Sequence, residues 1–393
     1  MKRIYFDHIA GTPVHPEVLE AMKPYLEEKF GNPQSLHSVG QEALEAVEAA
    51  REAVARLIHV DSQEVFFTST GSEANNFALK GMALAHQEKG RHLLLSSIEH
   101  QSVLHSARFL EKLGFQVDLL PVDAHGYVDP EDVRKSLRKD TILVSVMMAN
   151  GEVGTIEPIK QIAEVCQERE VLFHTDAVDA VGNIPVDVRE LGVDALSLAG
   201  NQFYGPKGSG ALYLKKGTRI LPLIDGGIQE RGRRAGTEDV PAIVGLGKAA
   251  EVAVREMESR TKKMLFLRDR IIAELPQAVD HVVLTGHPVR RLPHHASFCI
   301  RFIEGEAMLL NLDMKGISAS SGSACTSRAL KASHVLLAMG LDHALAQGSL
   351  VFSLIEENSD EDVDFLLDVF PPIVERLRKM SPLYTEFLEG KKS

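Results

Sequence analysis

Between residues 64 and 217, short apolar runs alternate with stretches of helical period. The runs read EVFFTS, HLLLSS, FQVDLLPV, TILVSVMMA, VLFHTDA, DALSLA and ALYLKK, each suited to a strand buried on both faces. Strands separated by helices of roughly ten to twenty residues predict a mostly parallel sheet covered on both sides. In such sheets ligands bind at the carboxyl ends of the strands. Ahead of this region, QEALEAVEAAREAVARLI predicts a strong amphipathic helix. Past residue 240 the rhythm changes. Helices are predicted around 241–256 and 259–275, then the apolar runs HVVLTG, ASFCIRF, ISAS and SLVFSL, then a last helix near 360–379. Pro371 and Pro372 are expected to kink or restart that helix. The expected fold is α/β: a large, mostly parallel-sheet domain over 14–255, and a smaller α+β domain from 1–13 and 256–393. An N-terminal arm carrying Asp7, His8 and Pro13 is expected to pack near the active site.

Composition narrows the function. The 393 residues are 44% hydrophobic and 25% charged, as expected of a globular protein with a sizeable core. Net charge is −12, so nucleic acid and anionic membrane surfaces are not default partners. No apolar run approaches the ~20 residues needed to span a bilayer. The start, MKRIYFDHIAGTP, lacks a signal-length apolar stretch, and the expected location is cytoplasmic. Three cysteines make no disulfide framework or metal-ligand spacing. Cys166 and Cys299 lie in helical and strand-like apolar patterns and read as core. Cys325 lies in SSGSACTS, a small polar run that reads as an exposed loop.

Ten local stretches, in order and over nearly the whole chain, carry a resemblance. They are YFDHIAGTPVHPEVLEAM, FGNPQSLHSVGQEA, FTSTGSEANNFALKG, SIEHQSV, ANGEVGTIEPI, FHTDA, FYGPKGSGALYL, GGIQERGRRAGTEDVP, EGEAMLLNLDMKGISASSGSAC and ASHVLLAMGL. Together they resemble the group I, NifS/IscS-type cysteine desulfurases of the class V, fold-type I pyridoxal phosphate superfamily. The resemblance implies a homodimer with its active site near the subunit boundary. It also implies that sulfur leaves L-cysteine as an enzyme-bound persulfide. Asp176 matches the aspartate that pairs with the cofactor's ring nitrogen, and His100 the histidine that stacks on the ring. Gly71 and Ser72 match the phosphate cup at a helix start, and Thr237 the threonine lent by the other subunit. Cys325 matches the persulfide cysteine, and Arg328 nearby favours its thiolate.

Other parts of the pattern are replaced. Where the family reads Ser-Gly-His-Lys, this chain has Ala199-Gly200-Asn201-Gln202, so Gln202 stands at the Schiff-base lysine. Gly151 and Asp179 stand where an asparagine and a glutamine serve the cofactor's phenolic oxygen. Val351 and Glu356 stand at two arginines, the first of which binds the substrate carboxylate. A glutamine amide forms no imine and takes no proton at neutral pH, and so loses both roles of the lysine. Lys207, in the neighbouring YGPKG, lies five residues along, too far displaced to replace it.

Three functional expectations follow. In the first, the chain acts in sulfur transfer or iron–sulfur cluster assembly. Cys325 then accepts a persulfide made elsewhere, or ligates a cluster shared with a scaffold protein. In the second, pyridoxal phosphate binds without a covalent link through Asp176, His100, Ser72 and Thr237. In the third, the chain is a catalytically inactive partner of a scaffold or of an active desulfurase. A metal site from His174, Asp176, Asp179 and His8 is a further alternative, with the remnant of a cofactor site as its simpler explanation.

Overall fold

The seven apolar runs between 64 and 217 become one sheet. In the computed structural model, which describes residues 3–322 and 332–390, twelve strands are present among the described residues. They are β1 (Ile4–Tyr5), β2 (Val65–Thr68), β3 (His92–Ser96), β4 (Gln116–Leu120), β5 (Thr141–Ser145), β6 (Leu172–Asp176), β7 (Ala195–Ala199), β8 (Gly210–Leu214), β9 (Val282–Leu284), β10 (His295–Ile300), β11 (Ile317–Ser318) and β12 (Ser349–Ser353).

The large sheet runs β2-β8-β7-β6-β5-β3-β4. Its neighbours from β4 to β7 pair in parallel, while β8 is antiparallel to both β7 and β2. Strands β3, β5 and β7 are buried along their whole length, which is why their sequences run apolar without alternation. Edge strand β4 has mostly exposed or half-exposed positions. Helices cover the sheet, including Ser38–Leu57, the helix expected at 41–58.

The second core gathers Phe6, Phe298, Phe352 and Phe370 with Leu275 and Met308. It lies around a three-stranded antiparallel sheet, β12-β10-β9, with β1 and β11 paired in parallel beside it. Cys166 and Cys299 are both buried.

Two expectations need correction. The two helices expected at 241–256 and 259–275 form one helix, Val240–Ala278. The intervening MESRTKK is polar but contains no glycine or proline, so nothing in it ends a helix. Its first half packs into the large core through Leu246 and Ala250, and its second half into the small one through Leu267 and Ile271. The last helix, Asp360–Lys379, also runs unbroken through Pro371 and Pro372. Pro371 is half-buried and Pro372 exposed, so both lie off the buried stripe of Leu366, Phe370, Ile373 and Val374. No helix among the described residues is long and apolar enough to cross a membrane.

Candidate active site

The carboxyl ends of β2, β3, β5, β6 and β7 and the segments after them converge on one cavity of about 290 Å³. Thr70–Ser72 follow β2, Ile98–Gln101 follow β3, Met147–Glu152 follow β5, Asp176–Asp179 end β6, and Ala199–Gln202 follow β7. Ile9 from the N-terminal arm also enters its wall, as do Ser321 and Gly322 from the small domain side. The strand-end location and the arm's approach both agree with expectation.

Asp176 ends β6 and is buried. Its Oδ2 accepts from Asn75 Nδ2 at 2.6 Å and its Oδ1 from the Val178 N–H at 3.0 Å. Burial raises its pKa, and His100 and these two donors oppose the rise. His100 is exposed toward the cavity and sits at the start of the helix Gln101–Lys112. Its Nδ1 lies 2.7 Å from Ser102 Oγ, and the same hydroxyl accepts from Asn75. Asp176, Asn75, Ser102 and His100 therefore form one continuous polar chain. Gly71 and Ser72 open the helix Gly71–Asn76, whose cap is Thr70, with its Oγ1 accepting from the Glu73 N–H at 3.0 Å. Thr237 lies exposed on a loop away from its own chain's cavity.

Gln202 lines the cavity but its amide turns to the arm. Nε2 donates to the Ile9 carbonyl at 2.9 Å. The Gln202 carbonyl faces His8 Nε2 at 2.9 Å and Asn183 Nδ2 at 3.2 Å. His8 Nδ1 meets the Leu354 carbonyl at 2.7 Å, and the ring stacks on His294 with centroids 4.2 Å apart. Burial lowers the pKa of His8. Asn201 lines the cavity, and its carbonyl accepts from the Thr12 N–H and hydroxyl.

Four carboxylates stand in the wall: Glu99, Glu152, Asp176 and Asp179. Glu99 is fully buried, accepts from Ser96 Oγ and the Met147 N–H, and has a pKa raised well above the ordinary value by burial. Burial raises Glu152 to about 7, against a hydrogen bond from Ser333. Asp179 is raised to about 7 by burial and by the Asp176 charge. Among the described residues no lysine or arginine lines the cavity. Asn75, Glu99 and Glu152 were not singled out from the sequence as site residues. All three lie in stretches that carry the resemblance, beside residues that were.

The remaining expectations fall elsewhere. Val351 is buried on β12, paired with Ser297 and Ser320, outside the wall. Glu356 reaches Arg260 Nε at 2.7 Å. The metal set is not assembled: His174 is flanked by Ser145 Oγ at 2.9 Å and Ser197 Oγ at 3.0 Å, and burial lowers it to about 3. A strand's alternation put His174 and Asp176 on one face, but the serines of β5 and β7 enclose the imidazole inside the sheet. Among the described residues, the His/acid atoms close enough to share an ion are those of His15, Glu17 and Glu256, at the surface. Cys325 and Arg328 lie outside the described residues.

The wall suits a pyridine ring in two respects, the carboxylate of Asp176 and the imidazole of His100. Among the described residues it offers no lysine amine for an imine and no lysine or arginine for a phosphate or a substrate carboxylate. The described wall residues therefore do not fit pyridoxal phosphate held by a Schiff base.

The aminotransferase class-V family matches residues 4–366. The cysteine desulfurase IscS of Dictyoglomus turgidum is 50% identical over 394 residues, covering 100% of each chain. That of Methanosarcina thermophila is 51% identical over 97% of this chain and 94% of its own length. The solved structure of a NifS-like protein superposes with a TM-score of 0.90 at 39% identity, covering 96% of this chain and 100% of its own.

Proposed function

This chain belongs to the aminotransferase class-V family, among relatives of the IscS/NifS cysteine desulfurases, and we propose that it serves sulfur transfer or iron–sulfur cluster assembly through Cys325 rather than standard desulfuration. One observation carries the reading. The cavity where the cofactor's lysine is expected holds Gln202, tied to the Ile9 carbonyl, and no lysine lines it among the described residues. Without an imine there is no electron sink joined to the substrate and no base at its α-carbon. Sulfur then reaches Cys325 from another protein. The Cys325 thiolate attacks the outer sulfur of a donor persulfide, forms the new S–S bond, and releases the donor as a thiolate. The division of the chain at about residue 255, the homodimer and a cytoplasmic location belong to the same proposal.

A second reading is favoured by the intact Asp176–Asn75–Ser102–His100 chain: pyridoxal phosphate bound without a covalent link. One absorbance titration separates the two. On adding pyridoxal phosphate, the first reading expects only the free cofactor's spectrum and none retained after desalting. Retained cofactor with no Schiff-base band supports the second. A Schiff-base band overturns both. Incubation with a small-molecule persulfide is expected to label Cys325, and unchanged labelling in Cys325→Ala sinks the sulfur-relay role.

A further inference from the structure

Among the described residues two histidines line the cavity, His100 and His334. A neutral imidazole has one N–H and one lone pair, so a fixed donor at one nitrogen puts the proton on the other. His100 caps the helix Gln101–Lys112, and its Nδ1 accepts from the Ser102 backbone N–H at 3.2 Å. A backbone N–H at a helix start can only donate, so Nδ1 must present its lone pair there.

The Ser102 hydroxyl, 2.7 Å from the same nitrogen, is turned to the same purpose by Asn75. Asn75 Nδ2 has two protons, and it donates to Asp176 Oδ2 at 2.6 Å and to Ser102 Oγ at 2.9 Å. With a lone pair of Oγ taken by that amide, the hydroxyl proton of Ser102 points at Nδ1. Each donor is oriented by the next, and the series is anchored on the buried Asp176 carboxylate. The neutral His100 ring therefore carries its proton on Nε2.

His334 is set by the same kind of rule, with a different outcome. Its Nε2 lies 3.0 Å from the Glu99 carbonyl, which can only accept, so Nε2 holds the proton and donates it there. Its Nδ1 then accepts from Gln101 Nε2 at 3.2 Å. Neither imidazole keeps a lone pair free to take a proton from a guest.

We infer that Ser102, oriented by Asn75, is a positioning residue that fixes His100 in its Nε2–H form, so that this ring meets a guest in the cavity as a hydrogen-bond donor and not as a base. A guest placing an anionic oxygen or sulfur against Nε2 gains a charge-assisted bond, while one placing an N–H there meets a like donor. None of this depends on Gln202 or on how sulfur arrives, so it stands with either reading of function.

The test is a long-range proton–nitrogen correlation spectrum of the full-length protein carrying isotope-labelled histidine, at about pH 8, above the ordinary histidine range. His100→Gln identifies the His100 signals by their loss. We expect His100 Nδ1 at the shift of an unprotonated, hydrogen-bonded nitrogen and Nε2 at that of a protonated one. Ser102→Ala removes the hydroxyl donor and is expected to move both nitrogens toward intermediate shifts, as the second tautomer enters. Ser102→Thr keeps a hydroxyl and is expected to keep the wild-type pattern, and thermal melts establish that the variants are folded. Asn75→Ala, which leaves the Ser102 hydroxyl free to turn, stands in if Ser102→Ala does not fold. A proton on Nδ1, or averaged shifts, in the wild-type protein overturns the assignment. The wild-type pattern persisting in folded Ser102→Ala, or lost in folded Ser102→Thr, overturns the role given to Ser102.

Discussion

The Asp179 carboxylate occupies the space that a side chain on Gly151 would need: a Cβ built there lies 2.6 Å from Asp179 Oδ2. Both positions are ones that the resemblance marks as departures from the desulfurase pattern, and the contact makes them neighbours. The prediction is non-additive. Gly151→Asn alone forces the new side chain into the Asp179 carboxylate and costs about 1–3 kcal/mol of stability. Combined with Asp179→Gln, whose neutral amide can pair with an asparagine, most of that loss is expected to return. A double-mutant cycle of urea melts measures it, and simple additivity would refute the coupling.

The raised acids set a pH dependence with a definite sign. Asp179 moves from 3.8 to about 7 and Glu152 from 4.5 to about 7, so folding favours their protonated forms. Their contribution is unchanged below the unfolded values and is lost as pH rises through this window toward 7. His174, lowered from 6.5 to about 3, acts oppositely, because stability is lost as pH falls through that range. Asp179→Asn should therefore stabilise the protein at about pH 8 by about 1–2 kcal/mol, less than the full shift implies because the carboxylate partly meets cavity water. At about pH 4 it should change little. Thermal melts at the two pH values decide, and an equal gain at both contradicts the assignment.

A lysine placed at position 202 is not expected to confer desulfurase activity. In Gln202→Lys the amine returns, but Asn201, Ala199, Gly151, Asp179 and Val351 remain as they are. The same change removes the bond to the Ile9 carbonyl that fastens the arm. We expect no cysteine-dependent sulfide release from Gln202→Lys, and a stability loss of about 1 kcal/mol from the missing hydrogen bond. Faster amide exchange over residues 4–12 would locate that loss. Desulfurase activity in the single variant would show the rest of the site to be intact.

Much of this was legible in the sequence for one physical reason: strands of a parallel sheet are buried on both faces, so β3, β5 and β7 announce themselves as apolar runs. Residues after such strands then fall into the site, and Asp176, His100, Gln202 and Asp179 do so. The helix Val240–Ala278 reads as two in the sequence because its polar stretch Met257–Lys263, where it crosses from one core to the other, resembles a loop. What no local pattern carries is the partner across the fold. That Gln202 fastens Ile9, or that Asp179 fills the gap at Gly151, depends on loops brought together by the sheet.

Glu356 is the sharpest case, because its partner lies 96 residues away. The resemblance marks it as a lost arginine, while the structure gives it a job of its own. Arg260 is buried, lies over the Tyr204 ring at 4.4 Å, and is held by Glu356 Oε2 at 2.7 Å and Glu256 Oε2 at 2.6 Å. Lys263 Nζ also donates to the Glu356 carbonyl. Glu356→Arg, which reinstates the pattern, would set a second guanidinium against a buried one. Breaking the pair and adding like charge is expected to destabilise by about 1–3 kcal/mol, softened because Glu356 is partly exposed. Glu356→Gln keeps an acceptor for Arg260 and should cost less. If Glu356→Arg instead melts at or above the wild-type temperature, Arg260 has no need of the carboxylate and position 356 is free to revert.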